Sequence, residues 1–310
     1  MFAAAWFKFS LPDFQYAFLS ILLEGIPFLL GGAILSGLLE EFLPQSLMTR
    51  LLPRNPRVAV LVSGLLGVIF PVCECGIVPV VRRLMRKGLP VSCGITYMLA
   101  APIVNPLVIL STLAAFRGQG AWEMTLLRFS VGLSVAVVVG WVCSYFSPFS
   151  ILRAGLLAPQ GLDHEHPHDE GRTTLDRLQN IAGVSSRDFL DVSVYFVIGA
   201  AAASLFSTAV NQEIILPLAS NPPLAIASLM GLASILSVCS TTDAFIAATL
   251  TTFPMAAKLA FLVFGPMLDF KLLFLYGSAF SKRFILSLAI GLFLLIGLIC
   301  WRLAELDLAW

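Results

Sequence analysis

Charge is what this sequence is short of. Only 12% of its 310 residues are Asp, Glu, Lys or Arg, against about 25% in a typical soluble domain, and that scarcity excludes a water-facing globule of this length. Lysine and arginine are missing altogether between Arg187 and Lys258. Histidine is confined to one polar stretch, His164, His166 and His168. No GxxxxGK[ST] phosphate loop or other nucleotide signature occurs, so any transport must draw on a gradient. The two-residue alternation of a membrane barrel is absent. The N-terminus lacks a basic region followed by a clear cleavage site, and no removable signal peptide is expected.

What remains is apolar, 58% of the chain, in runs that exceed the roughly 20 residues needed to cross hydrocarbon as a helix. The fold class is therefore an all-α polytopic membrane protein. A first helix is expected over about 14–43, interrupted at Gly25-Ile26-Pro27 and carrying Glu24. Arg50, Arg54 and Arg57 follow. Two short arms then flank Phe70-Pro71-Val72-Cys73-Glu74-Cys75-Gly76-Ile77-Val78-Pro79, where the prolines forbid a smooth helix. At 1.5 Å per residue the arms reach only about 20 and 15 Å, too short to cross singly. Basic clusters at both ends favour a re-entrant hairpin on the cytoplasmic side over a broken crossing. A broken helix runs from Pro90 to Phe116, with Ala101-Pro102 and Asn105-Pro106 inside it, and a plain span covers 122–146.

Residues 150–187 form a polar linker between an N-terminal membrane unit, 1–149, and a C-terminal one, 188–310. The second unit opens with a helix from Asp188 to Val210. A link with Glu213 as its only charge follows, then short arms around Ser237-Val238-Cys239-Ser240-Thr241-Thr242-Asp243. A helix with Gly265-Pro266 and Asp269 and a last span over 284–303 complete it. The units match in order: Val72-Cys73 with Val238-Cys239, Ala101-Pro102 with Gly265-Pro266, Asn105 with Asp269. Three crossings and a hairpin per unit require the second to be inserted upside down. The basic residues agree, with Lys8, Arg117 and Arg302 outside, Arg128, Lys258 and Lys271 within spans, and the rest inside. Two inverted-topology repeats with broken or re-entrant helices meeting at mid-membrane are the architecture of many secondary transporters.

The segments FPVCECGIVPVVRRLMRKG, LAAPIVNPLVILST, LSVCSTTDAFIAA and FGPMLDFKLL closely resemble the signatures of the ArsP/YraQ-type permease family, over nearly the whole chain apart from the central polar segment. The resemblance implies a multi-pass inner-membrane permease, and relatives of this type include exporters of trivalent organoarsenicals. The related motif reads Cys-Ser-Cys-Gly; here Glu74 stands in place of the serine.

Soft thiolates suit As(III), Hg(II), Cu(I) or Zn(II), and Cys73 and Cys75 can face one site where the backbone is not helical. Cys239, their counterpart by repeat, can supply a third sulfur. Glu74, Gly76, Asn105, Ser240 and Thr241 share these breaks and complete the expected substrate-binding set, although Asn105 and the hydroxyls can equally serve loose backbone groups. Cys93 lies closer to the cytoplasmic entry and is a further candidate for substrate contact, whereas Cys143 and Cys300 read as packing residues. Asp243 and Asp269 are the proton-coupling candidates, being carboxylates in apolar company, and Asp269 can alternatively pair with Lys271 or Lys258. His164, His166 and His168 could hold a metal, although their acidic surroundings equally describe a hydrated linker. The expected partners are the lipid bilayer and a small thiophilic solute, with homo-oligomerisation open; no cofactor and no nucleic acid is expected. Two other readings stand beside thiophile export: a permease for another small anion or sulfur compound, and a membrane-embedded thiol oxidoreductase.

Overall fold

The computed structural model describes residues 10–42, 55–70, 72–153, 174–209 and 221–306, with residues 53 and 219. The histidine segment, Pro71 and Glu213 lie outside the described residues. All regular secondary structure described is helical. In the first half these helices are α1 (Leu11–Phe42), α2 (Pro56–Ile69), α3 (Glu74–Arg86), α4 (Val91–Val104), α5 (Pro106–Ala115) and α6 (Ala121–Cys143). After the short α7 (Pro148–Ile151) come α8 (Thr174–Ala209), α9 (Pro222–Leu236), α10 (Asp243–Thr249), α11 (Met255–Met267), α12 (Phe270–Tyr276) and α13 (Lys282–Glu305).

Six segments are long and apolar enough to cross a membrane: α1, α4 with α5, α6, residues 175–208 of α8, α11 with α12, and α13. The two shorter apolar helices, α2 and α9, occupy the same place in the order of each half. The protein is a multi-pass membrane protein.

Prolines expected to interrupt helices do not. Pro27, Pro79 and Pro102 all lie inside continuous α-helix, as does Pro266. A proline removes one hydrogen bond, and neighbouring helices in an apolar medium hold the rest of the helix together. After Pro102 and Pro266 the true breaks come a few residues later, at side chains able to cap; α1 runs on unbroken past Pro27. Asn105 has an extended backbone and accepts from the Leu107 amide at 2.9 Å, starting α5. Asp269 does the same for α12, accepting from Leu272 at 2.6 Å. Loose carbonyls are covered too: Tyr97 donates to Phe70 and Tyr276 to Met267. The helix expected to open at Asp188 starts fourteen residues earlier, at Thr174, where Asn180 and Arg177 reach Glu41 of α1.

Helices α1 and α8 pack along each other, α3 lies against α1, and α12 against α8. Helix α4 contacts α11, α3 touches α12, and α10 touches α5, so the broken elements of each half face those of the other. Close approach depends on glycine. A Cβ on Gly32 would sit 2.2 Å from the Gly76 carbonyl oxygen, and one on Gly76 would sit 2.6 Å from that of Phe28. These are backbone contacts, which cannot yield by turning a side chain. Gly32→Ala should therefore push α1 off α3 and cost about 1–3 kcal/mol, read as a lower midpoint of thermal unfolding in detergent; Gly31→Ala, inside the same helix with open space around it, should not lower the midpoint and should raise it slightly.

Candidate functional site

The breaks at Phe70–Cys73 and Ser237–Thr242 converge. Cys73 is the extended N-cap of α3, so Glu74 and Cys75 occupy the first turn of that helix. Ser237 ends α9 in the left-handed region (φ 48°, ψ 42°). It is the one non-glycine residue with positive φ among those described, a conformation that costs energy and persists only where the surroundings enforce it. The surroundings here are Lys271, whose Nζ donates to the Ser237 carbonyl at 3.0 Å.

Cys73, Cys75 and Cys239 all line one small cavity with Glu74, Ser237 and Lys271; Glu24, Gly25, Phe28 and Phe196 form its α1 and α8 walls. Its volume of about 10 Å³ is room for a single water. Cys73 is half-buried, Cys75 and Cys239 are buried, and all six cysteines are free thiols. No group of three or more His, Cys, Asp or Glu among the described residues is arranged to hold a metal ion.

Behind the cavity lies a buried ionic network: Glu74, Asp243, Asp269, Arg128 and Lys271 are each at most 4% exposed. Arg128 Nη2 contacts both Asp243 oxygens, at 3.0 and 2.7 Å, and donates to the Ser240 carbonyl at 3.1 Å; Nη1 donates to Thr112 at 2.8 Å. The Ser240 hydroxyl donates to Glu74 at 3.0 Å. Lys271 meets Glu74 at 3.4 Å and Asp269 at 3.5 Å. Residues from both halves thus form one connected set, and in it three carboxylates share two cations.

Of the residues singled out from sequence, Cys73, Glu74, Cys75 and Cys239 stand together on the cavity. Ser240 sits behind them, and Thr241 points its hydroxyl at Cys239 Sγ at 3.6 Å. Gly76 faces α1, while Asn105 caps α5. Asp243 pairs with Arg128, and Asp269 both caps α12 and meets Lys271. Arg128 and Lys271 are the residues that sequence reasoning left out of the site. Their signal was position: a cation inside a span faces the protein interior and needs a partner.

A polytopic helical bundle whose broken helices meet over a polar, charged centre has the build of a membrane permease. The chain belongs to the ArsP_1 family of predicted permeases, whose model matches residues 10–301. It is 39% identical over 272 residues to the UPF0718 protein YcgR of Bacillus subtilis (strain 168), covering 87% of this chain and 90% of that protein. It is 35% identical over 271 residues to a Streptococcus mutans serotype c protein named "Putative two-component membrane permease complex subunit", covering 87% and 88%. No solved structure matches.

Proposed function

We propose that the protein is a secondary permease that exports a thiophilic solute, a trivalent organoarsenical in the first instance, through the cavity of Cys73, Cys75 and Cys239. The observation that carries this reading is the convergence of thiols from both halves of the chain on one cavity that Glu74 and Lys271 also line. A dihydroxy methylarsenite exchanges onto two thiols without redox change. Each As–O bond that breaks is replaced by an As–S bond, and each thiol proton leaves with a hydroxyl as water. Coupling to protons runs through Asp243 and Asp269, which the ionic network ties to Glu74 at the cavity. The two halves act as inverted repeats, in keeping with their identical order of spans and short apolar helices.

An anionic solute fits less well. The ammonium of Lys271 has three hydrogens, and three oxygens already face it, from Ser237, Glu74 and Asp269. With Glu24 also on the cavity wall, an entering anion meets two carboxylates and no uncommitted cation.

The test is uptake of methylarsenite, arsenite, Cu(I) and thiosulfate into inside-out vesicles. Methylarsenite uptake is expected in the wild type and background uptake in Cys73→Ser/Cys75→Ser. An imposed pH gradient should drive wild-type uptake but not that of Asp243→Asn. Equal transport by the double serine variant would end the thiol reading.

A further inference from the structure

Helix α3 carries the thiols at one end and is clasped at the other. At its C-terminal end Arg83 bridges two helices, meeting Glu40 of α1 at 3.3 Å and Asp188 of α8 at 3.1 Å. Ser36 of α1 donates to the same Asp188 carboxylate. Lys87 donates to the Glu40 carbonyl at 2.6 Å and meets its carboxylate at 3.5 Å, and Arg82 reaches Asp191 at 3.7 Å. The clasp ties the C-terminal ends of α1 and α3 to the middle of α8, on the face that the basic residues mark as cytoplasmic.

Helices α1 and α3 run side by side in the same direction, since Gly32 meets Gly76 and, further along, Glu40 meets Arg83. From Cys75 to Arg83 is eight residues, about 12 Å of helix. Along that stretch Leu29, Ala33 and Ser36 of α1 and Val192 of α8 are completely buried, so the cavity has no opening toward the clasp. Its other rim is looser, with Cys73 and Ile21 half-buried and Glu24 exposed.

We propose that the Arg83–Glu40–Asp188 clasp is the cytoplasmic gate of the solute path, opened when the C-terminal end of α3 parts from α1 and α8 about the Gly32–Gly76 contact. The inference rests on the cavity being part of that path. Glu40 is about a third exposed, so its side of the clasp can be exchanged for water at a smaller cost than a fully buried pair. The closed arrangement also carries a cost of its own. Among the described residues, Arg82 Nε, Arg83 Nε and Ser185 Oγ are buried without a hydrogen-bond partner, a penalty that a hydrated, open arrangement does not have.

The experiment needs no solute. Inside-out and right-side-out vesicles are treated with a membrane-impermeant maleimide, and labelling at Cys73 and Cys75 is followed by peptide mass spectrometry. Wild type should label slowly from the cytoplasmic face. Glu40→Gln/Asp188→Asn should label from that face about tenfold faster or more, because each substitution removes a partner of a largely buried guanidinium. Arg302→Gln, which breaks an exposed pair with Glu305, serves as the control and should match wild type. Unchanged cytoplasmic labelling in the double variant, with labelling from the opposite face showing it folded, overturns the gate; so does fast cytoplasmic labelling of wild type. A protein that shows the change yet moves no methylarsenite keeps the gate and loses the proposed solute.

Discussion

Arg128→Met is expected to cost about 3–5 kcal/mol of stability, read by denaturant titration in detergent micelles, because it strands the Asp243 carboxylate inside the bundle. Both groups are almost wholly buried and the contacts are short, so no water stands ready to take the arginine's place. The Ser240 carbonyl and the Thr112 hydroxyl lose a donor in the same step. Asp243→Asn alone should also destabilise, since it leaves the guanidinium charge without its counter-ion. The double variant Arg128→Met/Asp243→Asn should then be more stable than the sum of the single losses predicts, with a coupling of about 1–3 kcal/mol. A coupling near zero would mean that the pair is not what joins α6 to the second break. The same cycle run on methylarsenite uptake separates two roles. If the double variant folds and still responds to a pH gradient, Asp243 serves architecture and not coupling.

That pair also shows where reading from sequence stops. The apolar runs fix the six spans and the two short helices, because bilayer thickness sets a length that composition alone can reveal. Breaks are harder to place. Pro27, Pro102 and Pro266 stand out in the sequence, yet each sits inside a helix. Asn105 and Asp269 are the real interruptions, and their mark is a short side-chain acceptor able to cap the amides that follow. Hydropathy likewise misses the first turns of α8, which are polar because their side chains, Arg177 and Asn180, engage Glu41 rather than lipid.

For the site, matching Val72-Cys73 with Val238-Cys239 is enough to expect the thiols near one another, and they do share a cavity. The counter-ions are a different matter. Arg128 and Asp243 lie 115 residues apart and Glu74 and Lys271 lie 197 apart. No local pattern links such partners; only the packing of α3 against α12, and of α10 against α5 with α6 alongside it, brings them together. A buried charge in a span announces that it has a partner without saying which.

Lys271→Met tests the centre of that arrangement most severely. Lys271 is the cation that Glu74 and Asp269 share, and its Nζ also engages the carbonyl of Ser237, a residue held in the left-handed region. Replacing it leaves two buried carboxylates facing each other's field without a cation between them, and frees the Ser237 turn to relax. The expected result is a loss of about 3–5 kcal/mol or more, seen as a collapse of folded yield, together with loss of methylarsenite uptake. Adding Glu74→Gln to Lys271→Met removes one of the stranded charges and should recover much of the folded protein. Uptake should stay at background in that combination, because the cavity has then lost both the carboxylate and the ammonium that connect it to the ionic network. If Lys271→Met alone folds as well as the wild type, the carboxylates are not confined with the lysine in a dry interior, and the network described at the meeting of the two breaks does not hold them there.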